Sequence, residues 1–359
     1  MGANSPLLIK HPFIYLYHYI VIILNSVGFS SDTSVIILSQ VFHSSSLVIS
    51  FFIFRCMGRP TLESTLLTIG LSGTSTYMST GLVLDVYSLS IFWISAIFWI
   101  VCNAISKKTD CSVWLRAIVS IMAIGTTTYL VILVLLMELV LIKQPDRGYI
   151  ESLKNSDIYK QLLRIFSLGI LLFLFVYFQV IFDVIQDPVG ILKRVFWTVN
   201  RPGEKEGILQ VIAVFSIFSI LSPTISNITL PEGISMIDLR VMEFGYIGWI
   251  GIVILSVALL LKCKNNEHRV ILIFSLSWLI FNLLFHTVYQ YRGSLFLYCG
   301  HFIMAVWILF VTKTDASNVH SRLISPLING IDKVIVYMIP FIIWGNNVYL
   351  YNNILDLVN

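Results

Sequence analysis

Apolar runs long enough to cross a bilayer recur along this chain, and they restrict its fold more than any other feature. The clearest are Thr33–Phe54, Val86–Ile105, Phe166–Phe182, Phe244–Leu261, Val270–Phe285, Leu295–Val311 and Val334–Tyr351. A membrane-crossing helix needs roughly 20 consecutive, mostly apolar residues. Only helices and closed barrels satisfy every backbone N–H and C=O inside hydrocarbon. A barrel would show alternating segments of about ten residues, which these unbroken runs exclude. Composition agrees, because 57% of the 359 residues are hydrophobic and 12% are charged, about half the charged share of a soluble domain. The expected fold is therefore all-α: a polytopic integral membrane protein of about nine to eleven transmembrane helices. It forms a single transmembrane domain over residues 1–359, with no soluble domain left over.

Three further segments depart from a simple crossing. Leu62–Leu84 is long enough but rich in Ser, Thr and Gly. Trp114–Ile142 is too long for one helix and reads as a hairpin of two short helices turning near Gly125-Thr126-Thr127-Thr128. Phe13–Leu24 is too short for a comfortable crossing and reads as a surface-lying helix.

Cationic residues set the orientation, because cytoplasmic loops carry the excess of Lys and Arg. The clusters are Arg55 with Arg59, Lys107 with Lys108, Lys143 to Arg164, Lys262 to Arg269, and Lys313 to Lys333. With all of these in the cytoplasm, crossings pair up everywhere except between Arg164 and Lys262. Parity then makes Ile208–Ser222, a short apolar stretch ended by Pro223, a re-entrant or peripheral segment within an outer-face region spanning residues 183–243. Asp32, Asp85, the Gly125–Thr128 turn and the loop from His286 to Ser294 fall on the same outer face. The net charge of +4 then encodes orientation, and nothing points to a nucleic-acid partner. Five cysteines without CxxC spacing or pairing with His argue against a metal or redox site.

Two outer constellations are candidates for chemistry. Asp183–Gly207 holds Lys193, Arg194 and Arg201, cations that run against the positive-inside bias. They suit a phosphate or pyrophosphate, or an amphipathic helix resting on anionic headgroups. His286-Thr287-Val288-Tyr289-Gln290-Tyr291-Arg292 places His and Arg in an aromatic tip between apolar helices. Arg292 and His286 suit a phosphate, while Tyr289 and Tyr291 either stack on a sugar or form an interfacial aromatic belt. Asp85 stands beside a span, where an acid is costly and often functional, or marks a helix start. Glu63 and Glu138 lie toward the cytoplasmic side and are expected to pair with local Arg or Lys.

The order of these features resembles the GT-C superfamily of polytopic glycosyltransferases, which use polyprenyl-phosphate-linked sugars. Lys10-His11-Pro12-Phe13-Ile14-Tyr15 is similar to the HPP-type element closing the first external loop of such enzymes. Gly28-Phe29, Leu82–Ser90, Gly125–Tyr129, Ser222-Pro223 and Phe296-Leu297-Tyr298-Cys299 extend the resemblance over nearly the whole chain. The family has a helix and an acid-bearing loop before the HP element, and only about ten residues precede His11 here. Against the family the chain therefore reads as truncated at its N-terminus, or as an inactive relative.

The resemblance implies transfer of a sugar from a polyprenyl-phosphate donor to a surface glycan or glycolipid acceptor, within membrane lipid. The implied location is the bacterial inner membrane, with the active site facing the periplasm or exterior. A carboxylate deprotonates the acceptor hydroxyl in such chemistry, and Asp85 and Asp32 are the outer acids available. Lys193, Arg194, Arg201, His286 and Arg292 would hold the donor phosphate, with Tyr289 and Tyr291 against the sugar or acceptor. The residues identify no cofactor, and a divalent metal is the alternative to a cationic side chain at the leaving phosphate. An O-antigen or polysaccharide polymerase is the nearest rival. A non-catalytic transporter or flippase ranks behind both, since no internal repeat is visible.

Overall fold

The computed structural model describes residues 11, 13–82, 87–107, 111–142, 167, 189, 207–221, 226–229, 235–238, 266–288, 295–312 and 324–358. Helices dominate them. The departure from the all-α expectation is a short antiparallel pair, β1 (Ser226–Thr229) and β2 (Ser235–Asp238), in register Ser226 to Asp238 and Thr229 to Ser235. The expected spans Phe166–Phe182 and Phe244–Leu261 lie outside the described residues apart from Ser167. Among the described residues, three helices are long and apolar enough to cross a membrane: Ser31–Cys56, Tyr87–Ser106 and Arg269–Val288.

The chain divides into two compact units, Met1–Ile49 with Leu84–Asn200, and Ser50–Val83 with Arg201–Asn359. The first contains α1 (Ile14–Ser26), most of α2 (Ser31–Cys56), α5 (Tyr87–Lys107), α6 (Val113–Thr126) and α7 (Val131–Ile142). Its helices pack through an apolar cluster of Phe13, Tyr17, Leu89, Ala117 and Ile121. Phe42 joins α1 to α5, with ring centroids 5.7 Å from Tyr17 and 5.0 Å from Phe92 in edge-on geometry. One face of α1 is buried through Phe13, Tyr17 and Val21, while Tyr19, Ile22 and Ile23 stay exposed.

The hairpin expected over Trp114–Ile142 is present. Thr127 adopts an extended backbone (φ −148°, ψ 112°) between α6 and a 3-10 turn at Thr128–Leu130 that leads into α7. The last carbonyls of a helix have no intrahelical donor, and here the N-terminal segment supplies donors. The Phe13 N–H donates to the Gly125 carbonyl at 2.6 Å, and the His11 Nδ1–H to the Thr126 carbonyl at 2.7 Å. The Phe13 ring lies against Gly125 so closely that a Cβ there would collide with it.

The second unit contains α3 (Thr61–Ser72), α4 (Ser75–Leu82), α8 (Ile208–Ala213) and α9 (Asn266–Val288). Beyond them come a 3-10 segment Leu295–His301, α10 (Ile303–Val311), α11 (Ile324–Tyr337) and α12 (Ile339–Val358). Its core is built by Val211, Val214, Phe215, Phe218, Leu272, Leu279, Phe302, Val306 and Leu309. The expected span Leu62–Leu84 is broken at Gly73-Thr74, between α3 and α4. Val334–Tyr351 is interrupted at Met338, so its apolar residues divide between α11 and α12. Helix α8 widens into a π-turn at Val214–Phe218 and ends shortly after.

The exposed groups at these ends are satisfied by neighbouring helix ends. Ser75 and Thr76 N–H donate to the Ile220 and Ser219 carbonyls at 3.0 and 3.2 Å. Asn347 Nδ2 donates to the carbonyls of Gly73 and Ile220, both at 2.7 Å. A cluster at the start of α3 does similar work. Gly58 takes φ +78° and closes α2 with a Schellman pattern, Gly58 N–H to Arg55 O at 3.1 Å and Arg59 N–H to Phe54 O at 3.1 Å. Arg59, 2% exposed, then caps the end of α10, its Nη2 2.6 Å from the Val311 carbonyl. The same guanidinium pairs with Asp332 at 2.6 Å and Glu63 at 3.0 Å. Burial opposes its charge, but the hydrogen bonds and charges of Asp332 and Glu63 win, and its pKa lies above the usual arginine value. Glu138 pairs with Arg116 at 3.6 Å, so Glu63 and Glu138 both find the arginine partners expected of them.

Candidate functional site

Helix α9 carries Trp278, Asn282 and His286 at intervals of four residues, a spacing that aligns them on one face. All three are fully buried. This face meets the 3-10 segment Leu295–His301, and two contacts fix the pairing. At one end the Trp278 Nε1–H donates to the His301 carbonyl at 2.7 Å. At the other the His286 ring stacks on Tyr298, with centroids 4.4 Å apart and planes at 25°. Tyr298 continues toward His301, 6.5 Å away at 26°.

Aromatic rings fill the space behind this polar strip. Phe285 sets its ring edge-on to His286 at 5.1 Å, and Phe215 of the π-turn approaches the same imidazole at 6.0 Å. Phe215 in turn stacks on Phe302 at 3.6 Å. Two imidazoles, a phenol and a carboxamide thus occupy an otherwise apolar core. Asn282 uses its Nδ2–H on the Trp278 carbonyl at 2.8 Å, and among the described residues its Oδ1 has no hydrogen-bond partner. Such groups can orient hydroxyls and phosphate oxygens by hydrogen bonding and can move protons through imidazole. None of the side chains just named is a carboxylate. Among the described residues no cluster of His, Cys, Asp and Glu has the makings of a metal site.

A second polar chain runs through the first unit. The Trp93 Nε1–H donates to Tyr17 Oη at 2.7 Å, and Tyr17 Oη meets Thr126 Oγ1 at 2.7 Å. Thr126 Oγ1 donates onward to the Met122 carbonyl at 2.7 Å, which makes Tyr17 the donor to Thr126. Ser90 and Thr127 hydroxyls meet at 2.7 Å beside it. The HP-type element and the Gly-Thr turn, noted separately in the sequence, are therefore joined by direct hydrogen bonds. Every link in this chain is matched, so its evident role is to hold α1 on the α6 terminus.

Of the residues singled out from sequence, His286 lies in the buried strip of the second unit. Asp32 belongs to the first unit, exposed in the opening turn of α2. There it suits the partial positive charge of a helix N-terminus, beside Ser30, whose hydroxyl accepts the Thr33 N–H at 3.2 Å. Asp85, Lys193, Arg194, Arg201, Tyr289, Tyr291 and Arg292 lie outside the described residues. Trp278 and Asn282 were missed, although their spacing ahead of His286 was a usable signal. A Trp and an Asn in an apolar run read more readily as core and as a chance polar residue. No family model, curated protein or solved structure matches this chain.

Proposed function

We propose that this chain is a polytopic membrane glycosyltransferase that moves a sugar from a polyprenyl-phosphate donor to a surface glycan or glycolipid. The observation that carries the reading is the buried polar face of α9. That helix runs from a cationic end, with Arg269 following Lys262 and Lys264 in sequence, to His286 in its last turn. By the positive-inside bias the His286 end faces outward. Polar side chains buried in a membrane helix are costly and concentrate where substrates act. The segment that follows carries Tyr289, Tyr291 and Arg292, the residue types that grip a sugar phosphate. The contact between His11, Phe13 and the Gly125–Thr126 carbonyls adds support, because it unites two elements on which the GT-C resemblance rests.

In this reaction the acceptor hydroxyl attacks the anomeric carbon while the bond from that carbon to the phosphate oxygen breaks. A carboxylate takes the hydroxyl proton. Arg292 neutralises the departing polyprenyl phosphate, and His286 of the same unit orients it. The test is transfer to surface glycan in cells whose chromosomal copy is replaced by variants expressed at matched levels. Arg292→Ala should abolish transfer and His286→Ala should reduce it at least about tenfold, in line with loss of a charge-assisted contact. Near-normal transfer by Arg292→Ala would sink the assignment.

A further inference from the structure

We propose that Asn282 is a ligand contact whose carboxamide oxygen accepts a hydrogen bond from a hydroxyl of the donor's sugar. This inference rests on the transferase reading above and adds to it a residue and a substrate group. The geometry supplies the reason. Asn282 is fully buried, its Nδ2–H is committed to the Trp278 carbonyl at 2.8 Å, and that bond fixes which end of the carboxamide is the oxygen. Among the described residues the oxygen then has no partner. Leaving a buried acceptor unmatched costs about 1–3 kcal/mol, and the large majority of buried polar atoms avoid it. A leucine of similar size would serve the packing of α9 better, so the carboxamide calls for an occupant.

The surroundings select its chemistry. An acceptor oxygen requires a donor. None of Trp278, His286, Tyr298 and His301, which frame this face, carries negative charge, so a neutral donor fits better than a cation. One turn further along α9, His286 and Tyr298 form a buried stacked pair, so this face carries aromatic and hydrogen-bonding groups of the kind that hold a sugar ring rather than an acyl chain. A hydroxyl group meets both conditions. Its sources are a sugar hydroxyl or water, and the sugar is the one assigned here.

The full chain in lipid nanodiscs is titrated with short-chain polyprenyl phosphates bearing glucose, galactose, mannose or N-acetylglucosamine, and with the bare polyprenyl phosphate. Wild type should bind at least one sugar-bearing lipid more tightly than the bare lipid. Asn282→Leu should lose at least about tenfold of that preference, with a ligand-free Tm equal to or above wild type because the unmatched oxygen is gone. Preference in wild type that survives in Asn282→Leu overturns the role of Asn282 and points to water, while leaving the transferase reading in place. A ligand-free Tm well below wild type marks Asn282 as a packing residue and likewise overturns it. If Asn282→Leu fails to fold, Asn282→Ala, which only removes atoms, takes the binding test alone: loss of the sugar preference is expected, and its survival overturns the role of Asn282. Absence of any sugar preference in wild type overturns the transferase reading itself and this assignment with it.

Discussion

Arg59 ties together three segments of the second unit. Its guanidinium caps the Val311 carbonyl, pairs with Glu63 one turn ahead, and grips Asp332 with Nη1 and Nη2 at 2.7 and 2.6 Å. The planar fork is what permits this, and a lysine ammonium offers a single point charge instead. Arg59→Lys should therefore fail to restore wild-type stability, and Arg59→Ala should cost about 3–5 kcal/mol by leaving a partly buried acid and a helix end unmatched. Thermal unfolding in detergent, reported by intrinsic tryptophan fluorescence, measures both. A loss below about 1 kcal/mol for Arg59→Ala would place the cluster among weak surface pairs. At Gly125 the prediction turns on space: Gly125→Ala drives a Cβ into the Phe13 ring. The variant should release the N-terminal segment, read as faster proteolysis ahead of α1, whereas Gly330→Ala, with open space around it, should leave the digest unchanged.

Helix ends, more than helix middles, distinguish this fold. An uninterrupted apolar helix satisfies its own backbone, but a break inside an apolar environment exposes carbonyls and N–H groups that need partners. The α3–α4 break and the end of the α8 π-turn meet that need together, with Asn347 donating to both sides at 2.7 Å. Asn347→Leu should leave the Gly73 carbonyl short of a donor and the Ile220 carbonyl with the Ser75 N–H alone, and loosen α4 from the 3-10 segment beside it. In a background where Cys299 is the sole cysteine, the variant should raise labelling of this fully buried thiol by a membrane-permeant maleimide severalfold. Unchanged labelling would show that the remaining Ser75 and Thr76 bonds suffice. Elements of this kind explain the limits of sequence reading. The Trp114–Ile142 hairpin was legible because Gly and three threonines interrupt an apolar run too long for one helix. The pairing of Glu63 with Arg59 was legible because it is local, at i and i+4. The Gly73-Thr74 break was not, because its partners Ile220 and Asn347 are distant in sequence, whereas the Met338 interruption had a local mark in Pro340, which lacks a helical N–H donor. Of the site, His286 was legible as a polar residue at a span end. Asn282 was not, since its meaning depends on the facing 3-10 segment.

For the molecule as a whole, orientation is a reading of the charge pattern. Arg59, assigned to the inner side by the positive-inside bias, meets Val311 and Asp332, neighbours in sequence of Lys313 and Lys333, and Arg55 donates to the Arg59 carbonyl at 2.8 Å. The His286 end of α9 is opposite its Arg269 end and follows from the same rule. A green fluorescent protein inserted after residue 318 should fluoresce, and alkaline phosphatase fused after residue 359 should be active, reporting inner and outer positions respectively. The reversed pattern would put the His286 end in the cytoplasm and remove the basis for an outward-facing site. The central claim, however, is chemical: that the chain transfers a sugar from a lipid-linked donor to surface glycan. Its most direct test is the mass profile of surface glycolipids and glycans with the gene present, deleted and restored. Loss of one hexose-sized unit on deletion, regained on restoration, is the predicted result. Collapse of long ladders to single repeat units would instead identify a polymerase, and an unchanged profile would contradict the account.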